Sequence, residues 1–136
     1  MNLLDLYSAI QNRAFDEWDT AVAPLIFDNQ KSEVTLPFAR ATIIPVNAEQ
    51  IELGTSGKDR IDSILTIDVF TKIGIGIGLG VELINQALLI YPRNKQITTV
   101  DGEVITFSTP NPRQGGDDGR GAYRQTVDFP WFVYTL

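Results

Sequence analysis

The sequence contains no cysteine and no histidine in its 136 residues. Without cysteine the chain can form no disulfide, no thiolate nucleophile and no cysteine-ligated metal site, and we expect it to mature in the cytosol. Without histidine it can form neither a Ser-His-Asp nor a Cys-His catalytic arrangement, nor a zinc site built on imidazole. Carboxylates are the acid–base groups that remain, and we predict no enzyme activity, no catalytic residue and no cofactor.

Long apolar runs and an excess of basic residues are also missing. No stretch approaches the roughly 18 apolar residues of a membrane span, and residues 1–6 lack the basic and then apolar segments of a signal peptide. Eleven Lys and Arg residues against 17 Asp and Glu residues give a formal net charge of −6, which repels nucleic acid. We therefore expect no membrane insertion and no sequence-specific binding of nucleic acid.

Two segments have the apolar spacing of amphipathic helices. The first contains Leu3, Tyr7, Ile10, Ala14 and Trp18 at this spacing, and the second contains Val81, Ile84, Leu88 and Tyr91. Asn2 is the predicted N-cap of the first helix, and Asp5 in its first turn complements the helix dipole. Proline cannot continue a helix, so we expect the two helices to end before Pro24 and Pro92.

Residues 38–46, 61–69 and 123–134 have the β-branched and aromatic composition of strands. Pro45 interrupts the first strand, and Pro130 confines the last one to a sheet edge or a bulge. Alternation of apolar and polar residues predicts that the middle strand is half buried. Apolar residues on one face of the last strand are Val127, Phe129, Trp131 and Val133.

Turn residues separate these strands and define a hairpin. Gly54, Ser56 and Gly57 predict a turn before the middle strand. Residues 96–100 and 103–107 flank Asp101 and Gly102, a pair typical of the two-residue type I′ turn. With an apolar fraction of 43% the chain can bury one core. The prediction is a single α+β domain over residues 1–136, with a mainly antiparallel or mixed sheet of about five strands and two helices packed on one face.

Residues 109–122 are rich in glycine and proline and carry no large apolar side chain. We predict a mobile loop here, which becomes ordered when it binds a partner. Its charged side chains, the candidate partner-binding residues, are Arg113, Asp117, Asp118 and Arg120. An EF-hand needs acids at alternating positions and a distant glutamate, which this segment lacks, so we predict no metal site here.

Residues 74–80 read GIGIGLG, between the middle strand and the second helix. After Gly74 and Gly76 the third glycine of a dinucleotide-binding G-x-G-x-x-G motif falls on Leu79, so the motif fails. The pattern instead indicates a flexible hinge, whose isoleucines contact the core or a neighbouring subunit. Those residues are Ile73, Ile75 and Ile77.

Several features follow one another in a recognisable order. They are FDEW at 15–18, FDN at 27–29, RATIIP at 40–45, the long strand ending at Phe70, the glycine-rich bridge, and the strand at 124–133. This order resembles the tail terminator proteins of long-tailed bacteriophages, the gpU-like family. The likeness covers most of the chain, from about Leu3 to Val133.

The resemblance implies a structural role. Members of that family form a hexameric ring that stops polymerisation of the tail tube and offers a docking surface to the head. For this chain the resemblance implies a homo-oligomeric ring, with the tail tube protein and the head–tail connector protein as its partners. It also implies that the ring is assembled in the host cytoplasm and is located in the tail of the virion. Two alternatives remain from the residues alone: another head–tail completion or adaptor protein, and a carboxylate-dependent hydrolase.

Overall fold

The computed structural model describes residues 2–28, 35–51 and 58–135. The predicted turn at Gly54, Ser56 and Gly57 lies outside these residues, as does Asn29. Within them the chain forms two helices, α1 (Leu3–Glu17) and α2 (Gly78–Ile90), and seven strands. The strands are β1 (Leu25–Phe27), β2 (Phe38–Gln50), β3 (Asp59–Lys72), β4 (Gln96–Thr98), β5 (Val104–Phe107), β6 (Asn111–Asp117) and β7 (Ala122–Tyr134).

The strands form one mixed sheet in the order β1-β2-β3-β7-β5-β4, with β6 paired to β7 as well. Only the β1–β2 pair is parallel among the described strands. The predicted α+β class is confirmed. The expected number of strands was too low because β1 is too short to show an alternating pattern and β6 has the composition of a loop.

Helix α1 begins where the sequence predicts. The Asn2 Oδ1 atom accepts a hydrogen bond of 2.9 Å from the Leu4 N–H, which satisfies one of the free donors of the first turn. The buried face consists of Leu6, Ile10 and Ala14. Leu3 is 50% exposed, so the true apolar face is rotated away from the first residue of the predicted stripe.

Helix α2 ends before Pro92 as expected, but its buried face differs from the prediction. Gly80, Leu83, Ile84, Ala87 and Ile90 are buried, whereas Val81 is exposed. A Cβ atom added at Gly80 would collide with the side chain of Gln125 on β7. The helix therefore approaches the sheet through a glycine, which apolar spacing does not reveal.

The long strands β2 and β3 pair over most of their length. Their register shifts between Pro45 and Asn47, so the predicted interruption is a bulge. Strand β1 covers β2 at residues 39–41, and residues 44–50 of β2 are largely exposed. Strand β3, expected to be half buried, is buried on both faces from Leu65 to Thr71. Its odd-numbered residues belong to the core, and side chains of β2 and β7 cover the other face, where Phe38 stacks on Phe70 and Thr126 contacts Asp68.

The hairpin of β4 and β5 has the predicted strands but a different turn. The Thr99 N–H donates to the Glu103 carbonyl over 2.8 Å, so residues 100–102 form a three-residue connection. Gly102 has a φ of 90°, whereas Asp101 does not have a positive φ. The predicted type I′ turn, which needs positive φ at both residues, is therefore wrong.

The prediction of a loop over residues 109–122 is wrong for about half of its length. Residues 111–117 are strand β6, antiparallel to β7, with Arg113 opposite Thr126 and a bulge between Arg113 and Gly116. A Cβ atom at Gly115 would lie 2.7 Å from the backbone oxygen of Arg124. Glycine thus permits close pairing here, and backbone hydrogen bonds do not require the apolar side chains whose absence suggested a loop.

Strand β7 is central in the sheet and keeps an unbroken register with β3 through Pro130, so the predicted edge or bulge at this proline is wrong. It pairs with β3 on one side and with β5 and β6 on the other. Pro130 lies where the partner changes from β6 to β5, and its carbonyl accepts the Ser108 N–H over 2.8 Å. Because N–H and C=O of one residue point to the same side of an antiparallel strand, proline costs no hydrogen bond with β3.

The helices and one face of the sheet enclose a single apolar core. Tyr91, at the end of α2, lies fully buried between Phe107 and Phe129, with ring centroids 4.9 and 5.4 Å away. Its hydroxyl donates to the Ile10 carbonyl over 2.7 Å and so ties α2 to α1. Neither described helix is long and apolar enough to cross a membrane.

Candidate functional site

The even-numbered side chains of β3, β7 and the part of β2 before its bulge point away from the helices, because successive residues of a strand alternate between faces and the odd-numbered ones belong to the core. Pairing places Phe38 beside Phe70, and Phe70 beside Arg124. The two phenylalanine rings stack with centroids 4.7 Å apart and planes 19° apart. They form an apolar floor on the helix-free face of the sheet.

Arg40 occupies the next row along this face. Its guanidinium lies 5.4 Å from the centroid of the Phe70 ring and 4.0 Å from the Asp68 carboxylate. Asp68 also accepts a hydrogen bond of 2.6 Å from the Thr126 hydroxyl. The Arg40 Nε atom is buried and has no hydrogen-bond partner in the described part of the chain. Arg40 therefore retains donor capacity.

The turn between β6 and β7 is held by two carboxylates. The Asp117 side chain accepts the Gly119 N–H over 2.7 Å. The Asp118 side chain accepts the N–H groups of Arg120 and Ala122 over 2.7 and 3.1 Å. Such short local bonds let aspartate fix a turn, and they bring Arg120 to the same end of the face as Arg40.

These elements enclose an open cleft of about 610 Å³. Arg40, Arg120 and Arg124 line it over a floor that includes Phe38 and Phe70. Asp118 is the acid in the lining. Guanidinium groups bind carboxylate and phosphate groups through paired N–H donors, so this arginine-lined cleft can bind an acidic group. No cluster of three potential metal-ligating side chains occurs within residues 2–28, 35–51 and 58–135.

Two of the four sequence-predicted site residues lie in the cleft, namely Asp118 and Arg120. Arg113 instead forms an ion pair of 2.9 Å with Asp128, which also accepts the Thr66 hydroxyl. The Asp117 side chain accepts a backbone hydrogen bond within its own turn. Arg40 and Arg124 were missed because they come from strands far apart in sequence, and no local motif links them.

The carboxyl group of Asp118 should titrate at unusually low pH. Its hydrogen bond from the Arg120 N–H, with that from Ala122 and the nearby guanidinium charges, lowers its pKa below the ordinary 3.8. Because the folded-state pKa is depressed, the contribution of this carboxylate to stability is complete above about pH 3.8 and disappears as pH falls through the lower folded value.

A carbon-detected NMR titration of Asp118 tests this. We expect a midpoint below 3.8, retained in large part when Arg120 and Arg124 are both replaced by glutamine, since the largest cause is a backbone N–H. A midpoint at or above 3.8 in the unaltered protein would show that the turn does not hold the carboxylate as described.

The structure defines an α+β protein with two helices on one face of a mixed sheet. A solved structure superposes on 100% of this chain and 98% of its own with a TM-score of 0.79 and 14% sequence identity. That protein carries only a serial designation, and at this identity the likeness shows the fold alone. No family model and no curated protein matches this chain.

Proposed function

We propose that this chain is a phage tail terminator, a structural protein without catalytic activity or cofactor. Copies of it form a closed ring, hexameric as the family resemblance implies, that caps the tail tube and stops its polymerisation. The ring then offers the surface on which the head is joined. Assembly takes place in the host cytoplasm, and the product is part of the tail of the virion.

The observation that carries this proposal is the glycine-rich loop, residues 73–77, between β3 and α2. Ile73, Ile75 and Ile77 are 45%, 54% and 58% exposed, so they do not join the core of their own chain. Added Cβ atoms at Gly74 and Gly76 would meet no atom within 4 Å. A group of exposed isoleucines is typical of a surface that another protein covers.

The final strand, β7, offers neither a free edge nor an exposed apolar face for pairing with another subunit. Phe129, Trp131 and Val133 are buried in the core. Edge strands β1 and β4 are three residues long, β6 has a bulge, and the edge of β2 beyond β1 is interrupted by the bulge between Pro45 and Asn47. Short and bulged edges resist pairing with another chain. We therefore assign the subunit contact to the glycine-rich loop.

The arginine-lined cleft is the proposed contact with the tail tube protein or the head–tail connector protein. Three guanidinium groups over a phenylalanine floor suit an acidic segment with an apolar side chain. This assignment keeps the sequence-predicted roles of Asp118 and Arg120 in partner binding. It moves Arg113 and Asp117 from contact residues to residues that support the sheet and the turn.

Electron microscopy of tail tubes polymerised with and without the protein tests the function. We expect shorter tubes with added density at one end. An Arg120→Glu, Arg124→Glu variant should still form rings but lose the end density, because it reverses the charge of the cleft. Leu89→Glu, on an 80% exposed residue of α2, is the matched control. Unchanged tube lengths and bare ends with the unaltered protein would refute a terminator.

A further inference from the structure

A second cleft, which is apolar, lies at the other end of the molecule from the glycine-rich loop. It lies between the first turns of α1, the bulged segment of β2 and the start of β3, and it has a volume of about 380 Å³. We call it the edge cleft. Residues that give it its apolar character are Leu3, Tyr7, Val46, Ala48, Ile61 and Trp131.

Exposure at the rim makes the edge cleft accessible from outside. Leu3 is 50% exposed and Val46 is 59% exposed, although both are large apolar side chains. Trp131 lines the cleft, and its indole N–H is buried without a hydrogen-bond partner among the described residues. An unpaired buried donor costs about 1–3 kcal/mol. The isolated chain therefore leaves apolar surface uncovered at the rim of this cleft.

We propose that the glycine-rich loop of one copy seats its isoleucines in the edge cleft of the next copy. This inference rests on the proposed ring and specifies its subunit contact. Every copy contributes its loop to one neighbour and its edge cleft to the other.

The two surfaces cannot meet within one chain. Ile61 lies at one end of β3 and Ile73 directly after its other end, and 12 residues at about 3.3 Å each place them up to about 40 Å apart. A contact between two different patches of identical chains is heterologous, and it repeats from copy to copy until a ring closes or a filament grows. Neighbouring copies thus cover both the loop and the edge cleft of every chain in a ring.

The chemistry of the two surfaces also matches. No charged residue occurs between Lys72 and Glu82, so the loop and the first turn of α2 carry none into the contact. Asp62 is the charged residue that lines the edge cleft, and Arg60 already pairs with it over 3.0 Å. Burying these surfaces against each other leaves no unpaired charge, which is the main penalty at an interface.

Complementary variants test the contact. Ile75→Asp places a charge in the loop, and Val46→Asp places a charge in the edge cleft. Both residues are more than half exposed, so we expect both variants to fold. We expect each variant alone to have the monomer mass of 15.1 kDa by light scattering. An equimolar mixture retains one intact loop and one intact cleft, and it should form a heterodimer and nothing larger. The control Leu89→Asp should form the same ring as the unaltered protein.

Other outcomes distinguish failure of the proposed loop-to-cleft contact from failure of the proposed ring. If both variants still form rings, or if the mixture stays monomeric while the unaltered protein forms rings, the loop-to-cleft contact is wrong and the ring stands. If only the Ile75→Asp variant loses the ring, the edge cleft has a different occupant and the inference fails. An unaltered protein that never assembles overturns both. Ile73→Asp and Ala48→Asp repeat the experiment should either first variant unfold.

Discussion

Replacing Tyr91 with alanine is expected to lower the free energy of unfolding by about 3–5 kcal/mol, the range for truncating a large buried aromatic residue. Tyr91 is fully buried between Phe107 and Phe129, and its hydroxyl bonds to the Ile10 carbonyl. The substitution leaves a cavity where α1, α2 and the sheet meet. Chemical denaturation at neutral pH measures the loss.

Two companion variants separate the causes of that loss. Tyr91→Phe removes the hydroxyl alone and should cost about 1 kcal/mol, the net contribution of one buried hydrogen bond. Leu89→Ala, on a residue of α2 that is 80% exposed, should stay within about 0.5 kcal/mol of the unaltered protein. A Tyr91→Ala cost as small as that of the Leu89 control would show that the core is not packed around this ring.

Replacing Glu103 with methionine is expected to have the opposite sign and to raise the free energy of unfolding by about 1–3 kcal/mol. Glu103 is 2% exposed, and neither carboxylate oxygen has a hydrogen-bond partner among the described residues. Methionine has a similar length and removes both oxygens. The backbone bonds of Glu103 to Thr99, which close the turn, do not depend on the side chain.

Glu82→Met is the matched control, because Glu82 is exposed on α2. Its effect should be within about 0.5 kcal/mol. If Glu103→Met destabilises the protein, the carboxylate has a stabilising partner and the description of an unpaired buried acid is wrong.

Features set by neighbouring residues were predictable from the sequence. The N-cap at Asn2, the end of α2 before Pro92 and the interruption of β2 at Pro45 depend on chemistry within a few residues. The buried face of α2 was not, since it depends on Gly80 meeting Gln125, a residue 45 positions away. Whether a segment forms a helix depends on residues close to it in the sequence. Which face of the helix is buried depends on the surface on which the helix packs.

The remaining wrong predictions concern strands whose pairing partners could not be seen from neighbouring residues. Composition made residues 109–122 resemble a loop, but β6 is stabilised by backbone pairing with β7. Pro130 suggested an edge, but it lies at the single point where β7 changes partner. In the candidate site, Asp118 and Arg120 are close in sequence and were found together. Arg40 and Arg124 join them only through the register of three strands.

The mass of the native assembly tests the central claim most directly. Native mass spectrometry of the purified protein over a range of concentrations should give one closed species at a fixed multiple of 15.1 kDa, six copies by the proposed function. Closure predicts that this species stays the largest as concentration rises, because a closed ring has no free loop or edge cleft left. A monomer at every concentration, or a ladder of masses that grows without limit, would contradict the account.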